Sequence, residues 1–590
     1  MPAEAELGIT EFISKDVAGF SGLIKERFSD FNVYEVDQSG VVVRLRDQTI
    51  PGDDADKDNE SNKDQSYSSL NEVQQKIISE EQFVNISNIN SSELTDTLRI
   101  DVTDLDKDAR KQIHGLLKQF SNIESNTREM TGGKFIEVCL KKNCKGGGRR
   151  DWPRERPKYL HFTLYKENME TAEAVGHLAG KVRSNEKYFG FAGTKDRRGR
   201  TTQRVSASMI SAQQILGAAK HIQKIEVGDF SYEKSEIRLG QLFGNRFELA
   251  IRDVEVNEED LQSSMTSFSE VGFINYFGTQ RFGTQGIPTH VIGKELIVGN
   301  YKNVINLILE PRESESMEAL KKARQIWSEE KDAKKAFSVL KSNRKDRTIE
   351  GKLLYGLSNK HENDHVGVLE ELPRQQRLLY CHAYQSYVWN KVVSRRIKDH
   401  GLKVLKGDLV YKDESQCSED DSKEDKVEFV EDPDQHELQD VLIPIPGHKV
   451  KFPSNEMRDW FEQYLAEDGL TLNSFESSVK DYRLPGDYRN IVARPRDVEW
   501  SLVNYDDCLT DLIPSAKEKL NKSSVDNIKS DGKLKALILS FSLSSSCYAT
   551  MALREIMKVE TDRASLAARS INNKRTLSDE SSCPNKLPKL

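Results

Sequence analysis

Tyr188-Phe-Gly-Phe-Ala-Gly-Thr-Lys-Asp-Arg-Arg-Gly-Arg-Thr-Thr-Gln-Arg-Val-Ser206 is the stretch on which the reading of this chain turns. An aromatic run (Tyr188, Phe189, Phe191) leads into a turn flanked by Gly193 and Gly199, and Val205 opens an expected strand. Inside the turn stands a single carboxylate, Asp196, among Lys195, Arg197, Arg198 and Arg200. Cations at this density favour the ionised carboxylate and draw phosphates to the loop. One charged nucleophile in a phosphate-binding turn fits an enzyme that works on nucleic acid and uses an aspartate covalently. The same residues also fit a solvated basic β-turn, because turns collect Gly, Asp and Lys for conformational reasons. A Lys-Asp pair suggests the guanine-binding corner of a GTPase as well, but the chain has no G-x-x-x-x-G-K-[ST] phosphate loop.

Composition narrows the classes. A chain of 590 residues exceeds one ordinary core, so two or more domains are expected. No apolar run approaches the ~20 residues of a membrane span, and Met1-Pro-Ala-Glu-Ala-Glu lacks the basic-then-apolar pattern of a signal peptide. Seven cysteines are scattered without a Cys-x-x-Cys pair, which implies free thiols in a reducing compartment and no zinc site. The net charge of −8 is unevenly spread. Lys412 to Asp440 carries thirteen acidic and three basic residues, and Pro51 to Gln65 six acidic and two basic, so the remainder sums to +6. Such acidic blocks form solvated loops, and the mildly basic body beneath them permits nucleic acid.

Other segments carry chemistry of their own. Residues 31–36 and 41–45 are β-prone around a turn at Asp37 to Gly40, and Lys25, Phe31 and Glu35 precede or occupy the first of them. Lys141 to Lys158 is the most basic stretch, with eight cations against Asp151 and Glu155. Its Gly146 to Gly148 let the backbone approach a phosphate, so Lys145, Arg149 and Arg150 read as RNA contacts or as a solvated linker. Lys158 to Glu167 reads as an alternating strand, and Met169 to Val182 and Met209 to Ile225 as helices. Gly244-Asn-Arg-Phe247 precedes a clear strand; Asn245 offers a donor and an acceptor to a base edge and Phe247 a ring for stacking. Read blandly, Asn245 is a turn residue and Phe247 an inward strand residue. Ile274-Asn-Tyr-Phe-Gly-Thr-Gln-Arg281-Phe-Gly283 is an aromatic and glycine-rich turn. Arg374 to about Asp399 is a long helix, and Leu534 to Glu555 a strand, turn and helix containing Tyr548.

Taken together, Gly193-Thr-Lys-Asp-Arg-Arg198, Lys-x₄-Asp-Phe-x-Val-x-Glu at Lys25 to Glu35, Gly-Asn-x-Phe and the Asn-Tyr-Phe-Gly-Thr-Gln-Arg-Phe-Gly turn resemble the TruD family of RNA pseudouridine synthases, in its larger, insertion-bearing eukaryotic branch. The resemblance implies Asp196 as catalytic nucleophile and Lys25 as the cation that keeps it ionised and oriented. It implies Asn245, Phe247, Phe31 and Tyr548 as the uracil pocket. Lys195, Arg197, Arg198 and Arg281 are expected contacts to the RNA backbone. Where many relatives have Pro and Gly before Tyr548, this chain has Ser544-Ser-Ser-Cys547.

The expected fold is α+β: a catalytic core with a largely antiparallel mixed sheet and flanking helices, plus a second α/β domain. The core would be assembled from residues 1–48, 150–274 and 481–562. Residues 49–149 would form a polar, partly disordered insertion, 275–480 the second domain with a disordered acidic loop at 412–440, and 563–590 a disordered tail. The function implied is isomerisation of uridines in RNA, with tRNA and then messenger and small nuclear RNA as substrate classes. The expected protein needs no metal or cofactor, touches no membrane, is a monomer, and resides in the nucleus with the cytoplasm as alternative. A non-catalytic RNA-binding or tRNA-folding protein on the same fold is the competing reading.

Overall fold

The computed structural model describes residues 3–51, 78–88, 98–117, 123–130, 132–140, 152–153, 155–283, 286–313, 315–413, 415, 422–520 and 532–560. The chain divides into two compact units, one of residues 49–158 with 231–234, the other of all the rest. Lys145, Arg149, Arg150 and the tail 563–590 lie outside the described residues.

In the larger unit a nine-stranded sheet is built from β1 (Ser21–Ile24), β2 (Phe31–Val36), β3 (Tyr159–Glu167), β4 (Phe189–Phe191), β5 (Arg200–Ser208), β6 (Ile225–Glu233), β7 (Gly244–Glu255), β8 (Arg496–Tyr505) and β9 (Leu534–Ser544). Its order is β8-β9-β7-β2-β5-β3-β6, with β1 also on β7 and β4 also on β5. β2 and β5 pair in parallel, Asn32 beside Arg200 and Tyr34 beside Thr202. The pairs β7–β9, β7–β2, β8–β9 and β3–β5 are antiparallel. The expected α+β class with a mixed, mostly antiparallel sheet is what the structure has.

The central strands are buried on both faces. All six residues of β2 are buried, and β3 buries Leu160, Phe162 and Leu164 alongside Thr163 and Lys166. The alternation read from 158–167 is therefore not a half-solvated strand, and its polar members must find partners inside. Three boundaries differ from expectation. β5 opens at Arg200 rather than Val205 because residues 200–202 take up the parallel ladder with β2. Residues 41–45 form no strand; one bridge, Val36 to Val42, is made, and burial of Val43 and Leu45 accounts for the apolar alternation. The helix expected over 209–225 covers Ala212–Ala219, started by a Ser211–Gln214 capping box.

Residues 275–480 belong to the same compact unit as the sheet. Six helices between Thr289 and Glu370 lead into α2 (Arg374–His400), while α1 (Thr171–Lys181) precedes β4 and α3 (Ala549–Met557) follows β9. Tyr384 and Trp389 of α2 are core residues, and the hydrophobic cluster around them runs on through Phe277 to Phe247 and Phe541 of the sheet. A four-stranded sheet, Val427–Phe429, Leu409–Tyr411, Leu442–Ile445 and Asp487–Asn490, completes this region. Its first strand lies in the acidic stretch expected to be a disordered loop: Val427 is buried against Leu409 and Leu442, which gives this part of the stretch a hydrophobic reason to fold.

The smaller unit folds around a separate core. Strands Leu98–Asp101, Gly133–Leu140 and Ile123–Met130 form an antiparallel sheet. Phe83 and Ile86 of the helix Glu80–Asn88, and Ile113, Leu116 and Leu117 of the helix Lys107–Leu117, share one apolar cluster with Ile100, Ile136 and Val138. The segment expected to be a polar insertion thus contains an α/β core among its described residues.

Candidate active site

The register of β7 sets one wall of a cavity. Asn245 lies opposite Glu35 and Leu543, and Phe247 opposite Val33 and Phe541. Residues two apart on a strand share a face, so Asn245 and Phe247 face the same way. Phe247 packs between Phe541, at 5.4 Å between ring centroids, and Phe31, at 6.0 Å edge-on. Asn245 Oδ1 is buried with no hydrogen-bond partner. A buried amide oxygen without a partner is costly, and Asn245 is among the residues that line the cavity beside it.

The parallel pairing of β2 with β5 brings the entrances of the two strands to one end of the sheet. Lys25 to Asp30 lead into β2 and Thr194 to Gly199 into β5. Gly199 is needed for this approach, since a Cβ there would stand 2.7 Å from Phe31 O. The Asp196 turn is then tied down through its backbone. Gln203 Nε2 donates to Gly193 O at 2.9 Å, and Lys195 N donates to Thr171 Oγ1 at 3.0 Å. Lys166 Nζ donates to the carbonyls of Met169, Lys195 and Asp196 at 2.6, 3.4 and 3.3 Å. Burial pulls the Lys166 ammonium down to about 8, against the attraction of Asp196.

Lys25 Nζ is 3.6 Å from Asp196 Oδ2 and 3.6 Å above the centroid of the Phe31 ring. Lys25 itself has φ +54°, a left-handed conformation unusual for a lysine. Burial lowers its pKa and the Asp196 carboxylate opposes that shift. With Asp196 39% exposed the ion pair is partly screened, so it orients the carboxylate more than it stabilises the fold. Gln280 Nε2 donates to Asp196 Oδ1 at 3.4 Å from the facing side.

That facing wall comes from the 275–283 turn and the start of α3. Asn390 of α2 holds the turn by accepting from Phe277 N at 3.0 Å and donating to Phe277 O at 3.1 Å. Tyr548, the residue before α3, is half-buried and meets Phe277 edge-on at 6.4 Å. Gly278 lets it come close: a Cβ there would lie 3.2 Å from Tyr548 Cδ1.

The cavity between these walls, about 180 Å³, is lined by Lys25, Phe31, Asp196, Asn245, Phe247 and Tyr548 together. All six expected pocket residues meet there, although they come from points as far apart in the chain as 25 and 548. The expected phosphate contacts fare differently. Lys195 is buried and paired with Glu35 at 3.2 Å, so it does not face a backbone phosphate. Burial pushes the Glu35 carboxyl up and the Lys195 ammonium down, and their mutual attraction opposes both. Arg200 is likewise turned inward, to Asp511 at 2.5 Å. Arg197 and Arg198 remain exposed, and Arg281 lines a neighbouring cavity. Sequence reasoning missed Gln280, Lys166 and the Glu35–Lys195 pair as parts of the site; Glu35 and Gln280 stand inside the quoted motifs, whereas nothing about Lys166 distinguishes it from a surface lysine.

Comparison with known proteins adds family to geometry. The family profile described as tRNA pseudouridine synthase D (TruD) matches residues 138–556. The human Pseudouridylate synthase 7 homolog is 35% identical over 95% of this chain and 81% of its own length. The Multisubstrate pseudouridine synthase 7 of Schizosaccharomyces pombe is 32% identical over 95% of this chain and 90% of its own. A crystal structure of a tRNA pseudouridine synthase D from Methanosarcina mazei superposes with a TM-score of 0.55 at 21% identity, covering 94% of this chain and 98% of the other, which shows a shared fold. The chain belongs to the TruD family of pseudouridine synthases and is an isomerase of that class.

Proposed function

We propose that this enzyme isomerises uridines in RNA to pseudouridine, with Asp196 as the nucleophile. The observation that carries the reading is the convergence of Asp196, its Lys25 partner, the open Asn245 Oδ1 and three aromatic rings on one small cavity. A base within a stack cannot be detached and turned, so the target nucleotide is extruded into that cavity. Phe31, Phe247 and Tyr548 hold the uracil, at ~1–3 kcal/mol per stacked contact. Asn245 reads the uracil edge, its open oxygen accepting from an N–H of the base.

Asp196 then attacks, at the sugar C1′ or at uracil C6, and the bond from N1 to C1′ breaks. The uracil turns while held, C5 bonds to C1′ and the bond to the Asp196 carboxylate breaks. The proton leaves C5 and N1 gains one, so the product is an isomer of the substrate and the carboxylate is restored. Lys25, 3.6 Å away, keeps the carboxylate aimed. tRNA is the first substrate class, supported by the description of the matching family, and the word multisubstrate in the name of the Schizosaccharomyces pombe relative supports more than one substrate.

The test incubates purified protein with unmodified tRNA or total RNA and maps pseudouridine chemically. Asp196→Ala abolishes product and keeps RNA affinity within several-fold. Product from the Asp196→Ala protein would remove Asp196 from the role.

A further inference from the structure

A second, larger cavity of about 500 Å³ adjoins the first, and Cys547 lines both. Gln280 faces Asp196 in the small cavity while its neighbour Arg281 lines the large one. Two arginines, Arg281 and Arg489, are among the residues that line it. Arg489 is buried, and its donors go to Asn275 O at 2.8 Å, Asn275 Oδ1 at 2.7 Å and Ser546 O at 2.8 Å. Arg281 Nε is buried with no hydrogen-bond partner. Neither arginine is in an ion pair among the described residues, and Asp487, at the same cavity, is taken by Lys423 at 2.5 Å. Burial and the like charge of Arg281 both depress the pKa of Arg489, and His382 on the same wall feels the same two effects.

Buried charges are normally paired. Two cations share this cavity with no carboxylate paired to either, since Asp487 is taken by Lys423, and that leaves a positive potential which an anion would relieve. The size suits a nucleotide, since ligand cavities run to ~300–1,000 Å³. Phosphate, like carboxylate, matches the fork of donors on Arg and is often bound through two parallel bonds. Because the two cavities adjoin at Cys547, one polynucleotide strand can occupy both.

We propose that the larger cavity seats the nucleotide next to the extruded uridine, with Arg281 bound to the phosphodiester between the two. This rests on reading the smaller cavity as the uridine site. Arg281 is thus a specificity element for single-stranded RNA entering the pocket, and it acts on binding rather than on bond breaking.

The test uses short RNAs in which each linkage flanking the target uridine is replaced, one at a time, by an uncharged methylphosphonate. For the wild type, one flanking replacement weakens binding by ~10-fold, the scale of one charge-assisted hydrogen bond. Arg281→Met weakens binding of unmodified RNA by a similar factor and no longer senses that replacement, while the saturated single-turnover rate stays within a few-fold. Arg281→Lys restores part of the affinity, which separates lost charge from lost folding. If Arg281→Met responds to the neutral linkage as strongly as the wild type does, or if no flanking linkage matters to the wild type, the proposal is wrong. It is also wrong if inorganic phosphate or uridine monophosphate raises the melting temperature through Arg281 while every neutral linkage is tolerated, because the anion is then a free one. Binding by the Asp196→Ala protein keeps the two readings apart: a linkage effect that persists without product supports the phosphate site whatever the fate of the nucleophile.

Discussion

On one side of the small cavity, Phe31, Asn245 and Phe247 sit on strands whose register is fixed from both edges, β7 between β2 and β9. The remaining groups around it, Asp196, Gln280 and Tyr548, sit on turns and a helix start, held by single side chains such as Lys166, Thr171 and Asn390. The sheet side is over-determined: moving Phe247 means breaking a ladder and a ring cluster. The turn side is not; its groups are held by side-chain hydrogen bonds rather than by a ladder. Rigid recognition on one face and adjustable chemistry on the other is an arrangement suited to a base that must turn while it is held.

The largest expected effect falls on the sheet side. Phe247→Ala removes a ring packed between Phe31 and Phe541, so stability drops by ~3–5 kcal/mol, read from the shift in the urea midpoint. A loss below about 1 kcal/mol would mean that the ring is not part of the core and that the contrast between the walls is false.

Next comes Lys166, beneath the turn. Its pKa of about 8 lies below the ordinary 10.5. Below about 8 the group is an ammonium with three N–H donors for its three carbonyl acceptors; above that value it is an amine with two. The single-turnover rate is therefore steady below about pH 7 and falls through pH 8 to about 9. Lys166→Met, leaving buried carbonyls open at ~1–3 kcal/mol, is slow at every pH. A wild-type rate that stays flat from pH 7 to about 9.5 would remove Lys166 from control of the turn, since a titrating group changes over within roughly a unit of its pKa.

The smallest effect belongs to Gln280→Leu. Its bond to Asp196 is long, at 3.4 Å, and exposed, so a rate loss of only ~2- to 10-fold is expected, with the melting temperature unchanged. Equal losses in both measurements would instead make Gln280 a structural residue.

Local motifs carried much of this site in the sequence. Lys25, Asp196, Asn245 and Phe247 each stand in a short pattern whose residue types match their position at the cavity. The partners of the charges were not legible. Lys195, Arg197, Arg198 and Arg200 look alike as a basic run, yet the ladder of β5 and the Glu35 and Asp511 carboxylates turn two of the four inward. Those carboxylates come from positions 35 and 511, a separation over which composition says nothing about contact. The same holds for Arg252, which meets Asp30 at 2.7 Å inside the core. Several strand and helix positions were readable from periodicity, but the strands of the 49–149 segment and Val427–Phe429 were not. The failures at 41–45 and 200–204 arose where burial or a parallel neighbour decided the outcome, not propensity.

The parallel pairing of β2 with β5 has one more consequence. Strands that run side by side in the same direction must be joined by a chain that travels back across the sheet, so a long detour between them is obligatory. The smaller unit, residues 49–158, lies within that detour. Lengthening a detour that must exist anyway costs only about 0.6 kcal/mol per doubling of a flexible loop. New modules could therefore accumulate between Lys25 and Asp196 during the protein's history without separating the two groups on which its chemistry would depend.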